Sequence, residues 1–225
     1  MNQATERPRI AALVSGRGRN LQALIDAVAD GRIEADWAGV ISNRPGAAAL
    51  DRCQAAGVPA EVVDHTAYDS REAFDAALAA VLSERRPDLV VMAGFMRVLG
   101  AGFIDAFVGR MINVHPSLLP KYRGLHTHRR ALEAGDAEHG ASVHFVTAEL
   151  DGGPVAIQGR FTVAPDDDES RLAERVMNEV ELKILPQAVA WFVRGELRCD
   201  ADGARFRGRP LTRPLSLDDV EADFR

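Results

Sequence analysis

The strongest constraint in this chain is a set of short, wholly apolar runs separated by stretches of helical spacing. Ile10 to Val14 leads directly into the glycine-rich Ser15-Gly-Arg-Gly-Arg-Asn20, and Leu89 to Ala93 follows Pro87 in the same manner. Runs of this length without polar alternation fit strands buried on both faces of a parallel sheet. Between them, Leu21, Leu24, Ile25 and Val28 line one side of residues 20–29. Phe74, Ala77, Leu78, Val81 and Leu82 do the same over residues 70–84. Both patterns predict amphipathic helices. Further strands are expected at 37–41, 60–63 and 111–114, and further helices at 47–56 and around 103–108. Strands alternating with helices of this length imply crossover connections. The expected fold is α/β: a single-domain, Rossmann-like, mostly parallel open sheet with helices on both faces. After Val114 the pattern changes. Residues 141–146 and 154–163 flank Asp151-Gly-Gly153 and read as an antiparallel pair. A long helix is expected from about Ser170 to Val193, with Pro186 kinking it or ending its first part. The expected organisation is one domain over 1–197, with halves at about 9–100 and 101–197, followed by a polar C-terminal tail at 198–225.

Composition removes several function classes. The 225 residues are 47% hydrophobic and 27% charged, which suits a globular chain with a real core. A net charge of -6 argues against coating nucleic acid or an anionic membrane. Cys53 and Cys199 lie far apart without metal-type spacing, a usage that fits a reducing compartment. Met1 to Arg9 lacks the apolar centre of an export signal, and no apolar run is long enough to span a bilayer. A cytoplasmic location is expected.

Three local features carry chemistry. Ser15 to Asn20 joins a buried strand to a helix, and its glycines allow free N–H groups at the helix start to receive a phosphate. A third glycine is missing, because Leu21 stands there, and no Gly-Lys-Ser/Thr follows, so neither the dinucleotide nor the Walker pattern is met. A ligand-free tight turn fits the same residues. Asn113 and His115 stand two apart at a strand end, so they leave on one face, and Pro116 ends the strand beside them. That is the carboxyl edge at which open α/β sheets bind ligands. An amide donor beside an imidazole suits a reaction that develops an oxyanion on a carbonyl. Asp151, before Gly152-Gly153, is the third candidate, and a carboxylate near His115 is expected to raise its pKa. A strand-capping Asn, a packed His and a plain Asp-Gly-Gly turn are the bland alternatives. His126 and His128 lack metal-binding spacing, so no metal is expected.

Taken together, several stretches resemble the phosphoribosylglycinamide formyltransferases, folate-dependent enzymes of purine synthesis. They are residues 15–22, 69–75, 92–99, 113–120, 121–128, 139–146 and 149–154, and the match runs from about residue 9 to about 193. The resemblance implies formyl transfer from 10-formyltetrahydrofolate to the amine of N1-(5-phosphoribosyl)glycinamide. It implies a catalytic triplet of Asn113, His115 and Asp151. It places the ribotide at Gly18, Arg19, Asn20 and Glu181. It places folate at Arg71, Met96, Arg97, Val98, Leu99, Asn113, Thr147, Ala148, Glu149, Leu150 and Asp151. The implied partners are small molecules only, with no nucleic acid or membrane, in a monomer or homodimer. Two departures stand out: the family has Ser or Thr where this chain has Arg19, and its Glu-His pair corresponds here to Glu181-Leu182, with Glu179 close by. Among rivals, a methionyl-tRNA formyltransferase needs a further C-terminal domain, and a formyltetrahydrofolate hydrolase needs an extra N-terminal one. A sugar-nucleotide formyltransferase fits an acceptor pocket altered by Arg19. A non-catalytic phosphosugar-binding module has no need of the triplet.

Overall fold

A computed structural model describes residues 6–225, so most of the polar N-terminal stretch lies outside the described residues. The chain forms two compact units with the boundary after Leu99.

In the first unit the apolar runs are strands. It comprises β1 (Arg9–Val14), α1 (Arg19–Ala29), β2 (Asp36–Ser42), α2 (Ala48–Ala56), β3 (Ala60–Val62), α3 (Arg71–Arg85) and β4 (Leu89–Met92). The strands pair in parallel in the order β3-β2-β1-β4. Ile10 to Val14 are completely buried, as a strand covered on both faces requires. α3 starts where Ser70 accepts the Ala73 N–H on its hydroxyl at 3.1 Å. α1 starts differently: its N-cap is Gly18 in the left-handed region, with no side-chain cap.

The second unit comprises α4 (Ala101–Asp105), β5 (Met111–His115), α5 (Thr127–Glu133), β6 (Glu138–Phe145), β7 (Val155–Thr162), α6 (Glu169–Arg175) and α7 (Leu182–Val193). It ends with β8 (Leu197–Asp200), β9 (Gly203–Phe206) and β10 (Arg209–Pro210). β5-β6-β7 pair antiparallel, as do β8, β9 and β10 in a small second sheet. The α/β class, parallel first and antiparallel towards the C-terminus, is the one expected.

Thr127 and His128 open α5. Two local expectations are corrected. The long C-terminal helix is not uniform: a wide π-helical turn at Val176–Glu181 separates α6 from α7, and Pro186 lies inside α7 rather than ending it. The polar tail folds. Val220 and Phe224 are buried, Phe206 packs edge-on against Trp191, and Trp191 Nε1 donates to Glu221 at 3.1 Å. Leu215 pairs with the outer side of β7, donating its N–H to Ala156 O and accepting that of Gln158, both at 2.9 Å. An otherwise open strand edge is thereby satisfied. Among the described residues no helix is long and apolar enough to cross a membrane.

Candidate active site

The second unit gathers the predicted triplet. β5 carries Asn113 and His115 on one face, and antiparallel pairing sets Asn113 directly opposite His144 of β6. Asp151 lies in the turn between β6 and β7, itself in the left-handed region at φ 47°. Gly153 makes that turn possible, since a Cβ there would stand 1.9 Å from Phe145 O. The Asp151 carboxylate accepts the Gly124 N–H at 2.9 Å and lies 3.4 Å from His115 Nδ1 and 3.6 Å from His144 Nε2. All three side chains are about nine-tenths buried or more.

Hydrogen-bond logic fixes the imidazoles. A carbonyl only accepts, so His115 Nε2–H donates to Tyr122 O at 2.9 Å. His144 Nδ1–H likewise donates to Phe145 O at 3.0 Å. In the neutral ring His144 Nε2 is then an acceptor, and it takes one N–H of the Asn113 amide at 3.2 Å. The second amide hydrogen of Asn113 stays available to a ligand.

Electrostatics correct one expectation. Burial is the largest influence on His115 and pushes its pKa below the ordinary histidine value. The Tyr122 carbonyl and Asp151 pull upward as anticipated, but they do not overcome it. At neutral pH His115 is therefore neutral at rest. Asp151 is also desolvated, which favours protonation. The adjacent His144 ring, the Gly124 N–H and His115 more than offset that and hold it below the usual carboxylate range. It stays ionised.

The remaining predicted positions divide between the units. In the first, the glycine loop packs on α2. A Cβ on Gly18, at φ 70°, would stand 2.7 Å from Ala49 Cβ, and Arg52 ties the loop down through Arg17 O at 2.8 Å and Gln22 at 3.1 Å. Arg19 is the first residue of α1, and Asn20 beside it is buried. A cavity of about 410 Å³ adjoins the loop, lined by Ser15, Gly16, Arg17, Arg44, Gly46, Ala47 and Ala48. Met96 and Val98 expose their apolar side chains, whereas Leu99 is buried. The Arg97 guanidinium lies over the Phe74 ring at 5.3 Å. Arg71 opens α3 and stays half exposed, 3.6 Å from Glu72.

In the second unit, Thr147, Ala148, Glu149 and Leu150 form the approach to Asp151, with Leu150 half exposed and Glu149 ion-paired to Arg123. Glu181 closes the π-helical turn and is buried, while Glu179 is partly exposed and bound to Arg175 at 2.9 Å. His128 Nδ1 meets His139 Nε2 at 3.0 Å. Among the described residues no group of three or more His, Cys, Asp or Glu is placed to hold a metal ion.

His144 was not singled out from the sequence, although it lies inside the stretch 139–146. Its importance comes from the strand register, which no single-strand pattern reveals. The contributions of Tyr122 O and Gly124 N–H were equally hidden, because backbone groups leave no trace in side-chain identity.

This fold and cluster are those of a one-carbon transferase: the chain belongs to the formyl transferase family, which matches residues 8–189. It is 46% identical over 202 residues to the phosphoribosylglycinamide formyltransferase of Escherichia coli (strain K12), covering 90% of this chain and 95% of that one. The structure of the phosphoribosylglycinamide formyltransferase from Coxiella burnetii, in complex with CHES, superposes with a TM-score of 0.88 at 43% identity, covering 94% of this chain and 99% of that one. The trifunctional purine biosynthetic protein adenosine-3 of Drosophila melanogaster is 48% identical over 191 residues, 84% of this chain but 14% of that longer protein.

Proposed function

We propose that this enzyme transfers a formyl group from 10-formyltetrahydrofolate to the primary amine of N1-(5-phosphoribosyl)glycinamide in purine biosynthesis, acting on small molecules in the cytoplasm. The observation that carries the mechanism is the Asn113 amide, held by His144 with one N–H left over, beside a buried His115–Asp151 pair.

The amine nitrogen bonds to the formyl carbon, the bond from that carbon to the folate nitrogen breaks, and one proton passes from amine to folate. Negative charge collects on the formyl oxygen between these events. The free Asn113 N–H is oriented before charge appears, so it costs little reorganisation when it does. His115 Nε2–H now serves Tyr122 O, and a developing oxyanion is the stronger acceptor. That negative charge also offsets the burial that keeps His115 neutral. The ring therefore gains proton affinity as the reaction proceeds, which favours the transition state over the ground state. Asp151, held ionised, supports the protonated ring and is the base through which the amine's proton leaves.

The first unit supplies binding groups: the glycine turn and start of α1 at Gly18, Arg19 and Asn20 for a phosphate, and Met96 to Leu99 for the folate. Thr147 to Asp151 are the folate segment of the second unit, Arg71 is assigned to folate, and buried Glu181 rather than Glu179 is assigned to the ribose. The test is formyl transfer by purified protein, followed as folate product with and without the ribotide. Product that appears only with ribotide supports the reading, and acceptor-independent product indicates hydrolysis instead.

A further inference from the structure

The glycine loop and the segment beginning at Met96 belong to different ligands in the proposed reaction, yet one buried hydroxyl touches the backbone of both. Ser15 follows β1, is the first residue of the loop, and is only 4% exposed. Its backbone N–H donates to Gly94 O at 3.2 Å, and its Oγ accepts the Met96 N–H at 2.8 Å. A backbone amide has only a hydrogen to offer, so the Ser15 proton goes elsewhere. It is donated to Asn43 Oδ1 at 2.6 Å.

Asn43, just after β2, is 1% exposed and fixed in turn. Its N–H donates to Val14 O at 3.3 Å, and its carbonyl accepts from His65 Nδ1 at 2.8 Å. His65 stands edge-on to Phe74, the ring over which Arg97 lies. Residues 94–97 are thus held at two backbone points by Ser15 and at one side chain by Phe74. On its other side Ser15 leads into Gly16, whose carbonyl accepts the Ala49 N–H at 3.0 Å and so fixes the loop against α2.

We infer that Ser15 is a positioning residue for both substrates, joining the phosphate loop to the folate segment through its hydroxyl. This rests on the proposed reaction. Its proton is committed to Asn43 and its oxygen is buried, so it acts through Met96 and the loop rather than by touching either substrate. A side chain that served only the general fold would lower the amount of active protein and leave both KM values where they are. A joint between two binding segments moves both together.

The experiment is steady-state kinetics on Ser15→Ala, Ser15→Thr and Asn43→Ala, with the ribotide and 10-formyl-5,8-dideazafolate varied in turn and kcat normalised to folded protein. Stranding a buried donor and acceptor corresponds to about a tenfold effect. Ser15→Ala is expected to raise KM for both substrates by about that factor, with kcat within about threefold. Asn43→Ala, which removes the acceptor of the Ser15 proton, is expected to give the same paired rise. Ser15→Thr, which keeps the hydroxyl, is expected to stay near wild type. Both KM values unmoved in the two alanine variants, a rise in one KM alone, or a threonine variant as impaired as alanine each overturns the inference. A wild-type protein without turnover on the ribotide overturns the proposed reaction and this inference together.

Discussion

At position 115, burial and a carboxylate act in opposite directions on one imidazole, and burial prevails. An NMR titration of the His115 ring is therefore expected to show a midpoint below 6.5, and a lower one still in Asp151→Asn, because removing the carboxylate removes an upward pull. A midpoint above 6.5 in the wild type contradicts the assignment. At position 113 the prediction is kinetic: Asn113→Ala is expected to cost roughly 10²–10³ in kcat, the loss typical of one oxyanion donor. His144→Phe, which leaves the amide present but unheld, is expected to cost less, about tenfold or more, with both KM values little changed. If the His144 variant retains full kcat, the amide does not need its cross-strand partner. Asn113, His115 and Asp151 were legible in the sequence because each announces itself locally, by a strand end, a proline and a Gly-Gly turn. His144 was not, since what matters about it is the residue opposite.

Between elements, α5 and β6 meet through the His128–His139 contact. Burial lowers the pKa of both rings, and at His139, where the neighbouring His128 lowers it further, the value falls to about 4. A histidine depressed on folding binds fewer protons native than unfolded, so stability is complete above about pH 6.5 and is lost as pH falls towards 4. His139 alone accounts for on the order of 3 kcal/mol across that window. Urea unfolding at pH 7, 5.5 and 4.5 is expected to show the decline before the carboxylates titrate, and a flat profile contradicts it. The α1–α2 contact gives a second prediction. Gly18→Ala places a side chain at φ 70° and against Ala49, so it is expected to raise the ribotide KM and to destabilise by about 1–3 kcal/mol. The strands and helices of the first unit followed closely from period and punctuation. The π-helical turn at Val176–Glu181 did not, because one residue of extra winding alters no local composition.

At the scale of the whole molecule, the C-terminal segment had the least legible role. Arg and Asp conceal its alternation, yet Leu197, Ala204, Val220 and Phe224 are buried, and residue 215 completes the edge of β7. Ending the chain after Glu196 uncovers Trp191 and reopens that edge, so the truncated protein is expected to aggregate or unfold at markedly lower temperature. An unchanged thermal transition contradicts this. Fold and cluster together perform formyl transfer to a phosphoribosylated amine. The most direct test is single-turnover transfer from 10-formyl-5,8-dideazafolate by wild type and His115→Ala, with and without N1-(5-phosphoribosyl)glycinamide. Folate product is expected only with wild type and only when the ribotide is present. Transfer that persists in His115→Ala, or product that forms equally well without the ribotide, contradicts it.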